Sequence, residues 1–406
     1  MAPALAQSAT KADPTPRARP APALALRRID LASFRSYETL RLDVGPAPVA
    51  LIGANGAGKT NLLEALSLLA PGRGLRGARL ADIARKGTTQ WSVGATLEGS
   101  DGDFRIGTGI ERGAANDLDD VEEDDQDGPS ARRVVRIDGE AAKGPAALAR
   151  LVAAVWVTPE TDRLFLDSSS ARRRLIDRLA FALVPDHARR VLQYQKALRE
   201  RSRVLRDGPA DGAWLDAIEA QAAEAGVAVA AARNDAVDAL GSELLRSDGP
   251  FPKAGVALAG RIEAALRERP ALAVEDEFRA LLASGRARDA DTGGAAEGPH
   301  RTDLALRHVV KDMPAALCST GEQKALILAL ALAETRLIAG RRGIAPVLLL
   351  DEVAAHLDRE RRAALYAEID ALGVQAWLTG TEVSAFEGLP AASQFFAVAD
   401  GRIRTM

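Results

Sequence analysis

Strand, glycine-rich turn and helix follow one another between Pro48 and Leu69, and this succession narrows the available folds sharply. The apolar run Pro48–Ile52 enters Gly53-Ala54-Asn55-Gly56-Ala57-Gly58-Lys59-Thr60, and a helical pattern, Asn61–Leu69, leaves it. In that context a G-x-x-x-x-G-K-T spacing works as a phosphate loop. Glycines let the backbone fold tightly enough for its N–H groups to face phosphate oxygens, and the following helix adds its positive end to the same anion. Lys59 is expected to bridge the β- and γ-phosphates of ATP, and Thr60 to offer its hydroxyl to Mg2+.

Such a loop needs an acidic partner on a neighbouring strand, and Val347-Leu348-Leu349-Leu350-Asp351-Glu352 supplies it. Four apolar residues suit a buried parallel strand, with Asp351 emerging at the carboxyl end where ligands of parallel sheets bind. Asp351 is expected to help hold Mg2+. Glu352 is expected to orient or deprotonate the attacking water, because hydrolysis requires a base within hydrogen-bond reach.

The two halves of this site lie far apart in the chain, and the pattern between them changes character twice. Strands are expected at Leu26–Leu31 and Leu40–Val44, and an antiparallel group at Trp91–Glu98, Phe104–Ile110 and Val134–Asp138. Ala171–Leu183, Ala188–Leu205 and Ala213–Leu245 read as long helices. Strand-like stretches return at Gly255–Leu258 and Leu304–Val310, followed by a helix at Glu322–Ala339. The expected architecture is α/β: a P-loop NTPase head with an antiparallel β subdomain and an inserted, mostly helical lobe. Residues 25–155 and 298–406 form the head and 156–297 the lobe. The Ala- and Pro-rich stretch 1–24 is expected to be a disordered extension. An acidic insertion of about 113–131, with Asp117–Asp127 at its centre, is expected to be a solvated loop.

Net charge is −3, but eight of the 56 acids fall within Asp117–Asp127, so the remainder of the chain is net basic. That balance neither demands nor excludes a nucleic-acid partner. The single cysteine, Cys318, excludes an intrachain disulfide framework, and only four histidines leave no zinc-finger spacing. No window approaches 18 apolar residues without a charge, so no membrane span is expected and the chain reads as cytoplasmic.

Ser319-Thr320-Gly321-Glu322-Gln323-Lys324, ahead of an apolar helix, resembles the signature motif of ATP-binding-cassette ATPases. The resemblance implies that Ser319, Gly321 and the helix start bind the γ-phosphate held by a second subunit. It also places Asp358 at the D-loop aspartate facing across that dimer. Taken alone, Ser319 and Asp358 read equally as helix N-caps. Lys59 and Ser319 are 260 positions apart, with the helical lobe between them, which points away from a compact transporter ATPase.

The order of further motifs narrows the resemblance. Leu31-Ala32-Ser33-Phe34-Arg35-Ser36-Tyr37, Gly53–Asn61, Thr158-Pro159-Glu160, Ser170-Ala171-Arg172-Arg173-Arg174, Gly298-Pro299-His300-Arg301-Thr302-Asp303 and Ser319–Lys324 are similar to those of the RecF family of bacterial recombination and repair proteins. The resemblance spans Leu26 to Ile403 and adds Asn61 to the nucleotide site. It implies an SMC-like head that dimerises on ATP and clamps DNA at single-strand gaps or duplex junctions. Such a protein works with RecR and RecO to load recombinase, and weak, DNA-stimulated, Mg2+-dependent hydrolysis through Glu352 and Lys59 releases it. Nucleoid association follows from that role. Alternatives are a nucleotide-stapled scaffold with incidental catalysis, or a transporter-type subunit.

The chain departs from the cassette pattern at two places. Thr158-Pro159-Glu160 stands where a Q-loop glutamine is expected, and Thr379-Gly380-Thr381 replaces the switch histidine, so a threonine would have to contact the γ-phosphate. For DNA, Arg172, Arg173, Arg174 and Arg178, with Arg189, Arg190, Arg199, Arg201 and Arg203, are candidate phosphate contacts. The competing reading is that they pair with acids such as Asp177 and Glu200. Aromatic residues make up 4% of the chain, which favours backbone-directed duplex binding over base stacking.

Overall fold

A computed structural model describes residues 24–99, 102–112, 131–207, 212–247 and 249–406. The acidic run Asp117–Asp127 and all but the last residue of the 1–24 extension lie outside them.

Two sheets build the head. The first is mainly parallel, with its strands in the order Arg402–Thr405 (β15), Gln394–Ala399 (β14), Val49–Ile52 (β3), Ala376–Gly380 (β13), Val347–Leu350 (β12) and Ala154–Val157 (β8). Only β15 runs antiparallel to its neighbour. β3 and β12 are buried along their whole length, as the unbroken apolar runs predict for a sheet covered on both faces.

Because successive side chains of a strand point to opposite faces, each strand feeds two cores. Ala50, Ile52, Leu348, Leu350, Val155 and Val157 enter one, while Val49, Leu51, Val347, Leu349 and Trp377 enter the other. The second core is closed by Lys59–Ser67 (α1) and by an antiparallel sheet. That sheet runs Tyr37–Asp43 (β2), Ala25–Phe34 (β1), Ser92–Gly99 (β4), Gly102–Arg112 (β5), Ala131–Ile137 (β6) and Glu140–Ala141 (β7), with the short helix Leu80–Ile83 (α2) against it.

The first core is filled by Ser169–Leu183 (α3), the end of Gly212–Arg246 (α5), and Thr320–Arg342 (α9). α9 is apolar on all sides and buried almost continuously from Gln323 to Ile338, as a helix at the centre of a domain must be. Arg359–Leu372 (α10) covers the same core through Leu365, Tyr366 and Ile369.

α5, 35 residues long, ties the lobe to the head: Ile218–Ala230 packs in a distal core, and Ala236–Leu244 in the head core. The distal core is shared with His187–Arg206 (α4), Arg261–Glu268 (α6) and Ala271–Ser284 (α7), with Arg286–Thr292 (α8) beside it. There Arg201, wholly buried, donates to Glu219 (2.8 Å), to Asp289 (2.9 Å) and to the Leu282 carbonyl. A small antiparallel sheet joins Ala254–Ala259 (β9), Asp303–His308 (β10) and Met313–Pro314 (β11), so strands from either side of position 297 pair. β8 likewise carries head structure to Val157, past the expected division at 155.

Element ends shift for local reasons. α1 begins at Lys59 rather than Asn61, directly after Gly58, whose left-handed backbone (φ 112°) glycine adopts without strain. β10 stops at His308 rather than Val310, because the chain turns back through Asp312 (φ 47°) into β11.

Candidate nucleotide-binding site

The carboxyl ends of β3, β12 and β13 lie side by side, and each delivers one part of the site. After β3 the loop Gly53–Thr60 turns with Gly56 at φ 81° and Gly58 at φ 112°, leaving Ala54, Asn55 and Gly56 exposed. A side chain at Gly53 would lie 2.2 Å from the Val398 carbonyl oxygen, so only glycine passes that point. Lys59 Nζ donates to the carbonyls of Gly53 (2.7 Å) and Ala54 (3.0 Å), folded over the loop that it serves. Burial pushes its pKa down, and the nearby charges of Glu352 and Asp351 partly oppose that.

From β12, Asp351 accepts from the Thr60 hydroxyl at 2.8 Å and 3.1 Å. Residues 291 positions apart thus meet as the strand and loop motifs require. Glu352 follows, half-buried, with its backbone in the left-handed region (φ 56°). One hydroxyl and one carboxylate are hard oxygen donors suited to Mg2+, which takes its remaining ligands from water and substrate phosphates.

The turn between β1 and β2 abuts the loop, a role the sequence reading did not assign. Ser36 Oγ accepts from Asn61 Nδ2 (2.9 Å), and the Tyr37 hydroxyl donates to the Gly58 carbonyl (3.0 Å). Arg35 grips Glu64 of α1 with two hydrogen bonds (2.8 and 2.6 Å), and Arg76 adds a third (2.6 Å). Asn61 is further held by Arg76 (2.9 Å). The only clue in the sequence was the turn's place among the family motifs.

Ser319 caps α9 with a full capping box: its N–H donates to Glu322 at 3.0 Å and its hydroxyl at 2.9 Å. Lys311 pairs with Glu322 and, with Ser319, holds that carboxyl at about 2. Ser319, Thr320 and Gly321 are exposed, and among the described residues no hydrogen bond or ion pair joins this turn to the phosphate loop of the same chain. Asp358 is the N-cap of α10, accepting from Arg361 N (2.8 Å), while its side chain stays 57% exposed. Both residues are therefore caps, and both also face outward.

Thr158 and Pro159 line a small open cleft together with Asp351, Glu352 and, from α9, Lys324 and Leu328. Asp162 pairs with Lys324 at 3.1 Å across it.

Four of the nine expected DNA contacts, Arg172, Arg173, Arg178 and Arg201, are committed elsewhere. Arg172 forms a two-pronged bridge to Asp303 (2.7 and 2.9 Å) and also reaches the Leu164 and Asp167 carbonyls. Arg173 donates to Ser169 Oγ and the Thr302 carbonyl, both at 2.8 Å. Arg178 stacks over Trp156 (4.0 Å) and pairs with Glu334 (3.4 Å), and Arg201 is the buried centre described above. These arginines lie on helix faces packed against β10, α9 and the distal core, where an unpaired charge would be costly. Arg174 alone of the first four is exposed. Asp177 pairs with Arg233 (2.8 Å twice) and His187 (3.0 Å) rather than with an arginine of its own helix.

A basic face that includes three of the expected contacts, Arg189, Arg199 and Arg203, stays open on α4. Arg189, Lys196, Arg199, Arg203 and Arg206 are exposed at helical spacing, opposite the buried stripe of Ala188, Val191, Tyr194 and Ala197. None of the five has an ion pair among the described residues.

A parallel sheet whose strand ends hold a phosphate loop, with a helical lobe hung between that loop and an outward-facing serine-glycine turn, is the head of a P-loop ATPase of ABC/SMC type. The RecF/RecN/SMC N terminal domain model matches residues 25–402. The chain is 46% identical to the DNA replication and repair protein RecF of Mesorhizobium japonicum, over 93% of this chain and 97% of that one. It is 49% identical to the protein of the same name from Caulobacter vibrioides, over 94% and 98%. The chain belongs to the RecF family. Two solved structures of the recombination mediator protein RecF in the RecFOR pathway, described as RecF-ATP and RecF-ATPrS, share its fold at TM-scores of 0.80 and 0.79 and 22% identity. They cover 96% and 95% of this chain, and 99% of their own length is matched.

Proposed function

We propose that this protein is an ATP-gated DNA clamp of recombinational repair and replication-fork maintenance. The observation that carries the proposal is the pairing of a complete phosphate loop with an exposed signature turn that does not meet it in the same chain. A triphosphate held by Gly53–Thr60 of one copy would be completed by Ser319 and Gly321 of a second, with N–H groups at the start of α9 facing the γ-phosphate. Thr60 and Asp351 would hold Mg2+, Glu352 would position water, and slow, DNA-stimulated hydrolysis would separate the copies.

Duplex DNA, gapped or at a junction, would lie against the basic face of α4 and be held by its phosphates. RecO and RecR are the proposed partners, as the RecFOR pathway of the solved relatives suggests. The proposed division keeps a head of residues 25–155 and 298–406 and a lobe of 156–297 that carries the DNA surface, with the head strand β8 running on to Val157. No helix among the described residues is long and apolar enough to cross a membrane, which fits a cytoplasmic, nucleoid-associated protein.

Mass measured by light scattering with and without ATP tests the mechanism. Glu352→Gln should trap an ATP-bound dimer and Lys59→Ala should prevent one; equal dimer fractions in both variants and the wild type would reject it.

A further inference from the structure

Thr379 opens the Thr379-Gly380-Thr381 stretch that replaces the switch histidine, and its side chain turns to the acidic pair. It is 1% exposed, the penultimate residue of β13, one position past the Leu378–Leu350 pairing with the neighbouring parallel strand β12 that leads into Asp351. Its hydroxyl donates to Asp351 Oδ1 at 2.7 Å and accepts the backbone N–H of Glu352 at 2.8 Å. One hydroxyl has one proton to give, and Thr379 has given it to the carboxylate.

Asp351 is thus clamped between two threonines. Thr60, on the phosphate loop, reaches both carboxylate oxygens and is the one free to turn towards a metal ion. Thr379 is locked in the sheet. Its bond to Glu352 N–H also fixes the peptide preceding a left-handed residue (φ 56°), a conformation that a side chain bearing a Cβ resists unless its surroundings impose it. The neighbouring position could not take over the task. A Cβ at Gly380 would lie 2.8 Å from the Phe386 ring, so no imidazole fits there, and Thr381 beyond it is exposed.

We infer that Thr379 is a positioning residue for hydrolysis, orienting Asp351 for Mg2+ and Glu352 for water through one shared hydroxyl. This rests on the proposed roles of Asp351 and Glu352. It makes the strand end beside the phosphate loop a support for the acidic pair rather than a sensor of the γ-phosphate.

The test compares Thr379→Val, which keeps the shape and removes the hydroxyl, with Thr379→Ser, which keeps the hydroxyl, and uses Asp351→Asn as reference. Three quantities are read: the Mg2+ concentration for half-maximal turnover, Mg2+ binding to the protein–ATP complex by calorimetry, and the melting temperature without ligand. Removing the support of a metal-side carboxylate costs about 10–100-fold in metal affinity or activity. Thr379→Val should therefore shift the Mg2+ requirement or turnover by that factor with the KM for ATP little changed, and Thr379→Ser should restore wild-type behaviour.

Equal Mg2+ dependence and turnover in Thr379→Val and wild type would overturn the inference, as would Thr379→Ser being as impaired as Thr379→Val. If Thr379→Val does not fold, Thr379→Ala is read against Thr379→Ser by the same criteria. Should Asp351→Asn leave Mg2+ binding unchanged, the reading of the site itself fails; should Asp351→Asn impair it and Thr379→Val not, only the inference about Thr379 fails.

Discussion

Replacing Arg199 and Arg203 together by Ala tests whether DNA rides on α4. Arg189 to Arg206 spans 17 residues, so the stripe is about 26 Å long at 1.5 Å per residue. One DNA strand presents a phosphate about every 3.4 Å of axis, giving roughly eight along that length, so each of the five exposed cations has one within reach. If all five engage, log K against log salt should slope at about −4.5 per copy from this face, because each neutralised phosphate adds about −0.9. The double substitution should flatten the slope by about 1.8. Fluorescence anisotropy of a labelled duplex between about 50 and 200 mM salt reads this directly. Arg172→Ala is the control: its guanidinium is spent on Asp303, so the slope should hold while the melting temperature falls. An unchanged slope in the double variant, or a flattened one in Arg172→Ala, would refute the assignment.

Burial alone would raise the Asp177 carboxyl, but Arg233 and His187 outweigh it and hold it at about 2. Against an unfolded value near 4 this contributes about 2–3 kcal/mol, fully present above pH 4 and lost as pH falls through about 2. Asp177→Asn should flatten the acid limb of a calorimetric stability profile and, by leaving Arg233 without its partner, lower stability at neutral pH by about 3–5 kcal/mol. An unaltered acid limb would show that the pair does not govern it. Gly53→Ala should abolish ATP binding in a calorimetric titration while the melting temperature falls only modestly, since the clash with the Val398 carbonyl displaces the loop itself. Full ATP affinity in that variant would contradict the close approach.

What the sequence made legible was whatever rests on local pattern. The strands Val49–Ile52 and Val347–Leu350, the phosphate loop between strand and helix, and the long lobe helices are visible because apolar period and glycine spacing are properties of neighbouring residues. What the sequence hid depends on which elements meet. Arg172, Arg174, Arg199 and Arg201 look alike in a string, yet one bridges to β10, one is wholly buried and two face solvent. Tertiary packing decided among them, and nothing local announces it. The Thr379-Gly380-Thr381 departure is legible, but what its first threonine touches is not, because that depends on the register of β13 against β12. The turn at Arg35–Ser36 stands among the motifs, but its contacts to Glu64 and Asn61 of α1 come from tertiary packing that no local pattern announces.

β3 has both of its neighbours, β13 and β14, at the far end of the chain. During synthesis its Val-Ala-Leu-Ile segment leaves the ribosome more than 300 residues before either partner exists. At about 5–20 residues per second the wait is roughly 15–65 s, with two unpaired edges on an apolar strand. The helical lobe, whose contacts are nearer in sequence, can consolidate during that interval. Biogenesis of the head therefore falls to the last moments of translation, and a ribosome stalled before Ala376 would release a chain with a finished lobe and an aggregation-prone strand in need of a chaperone.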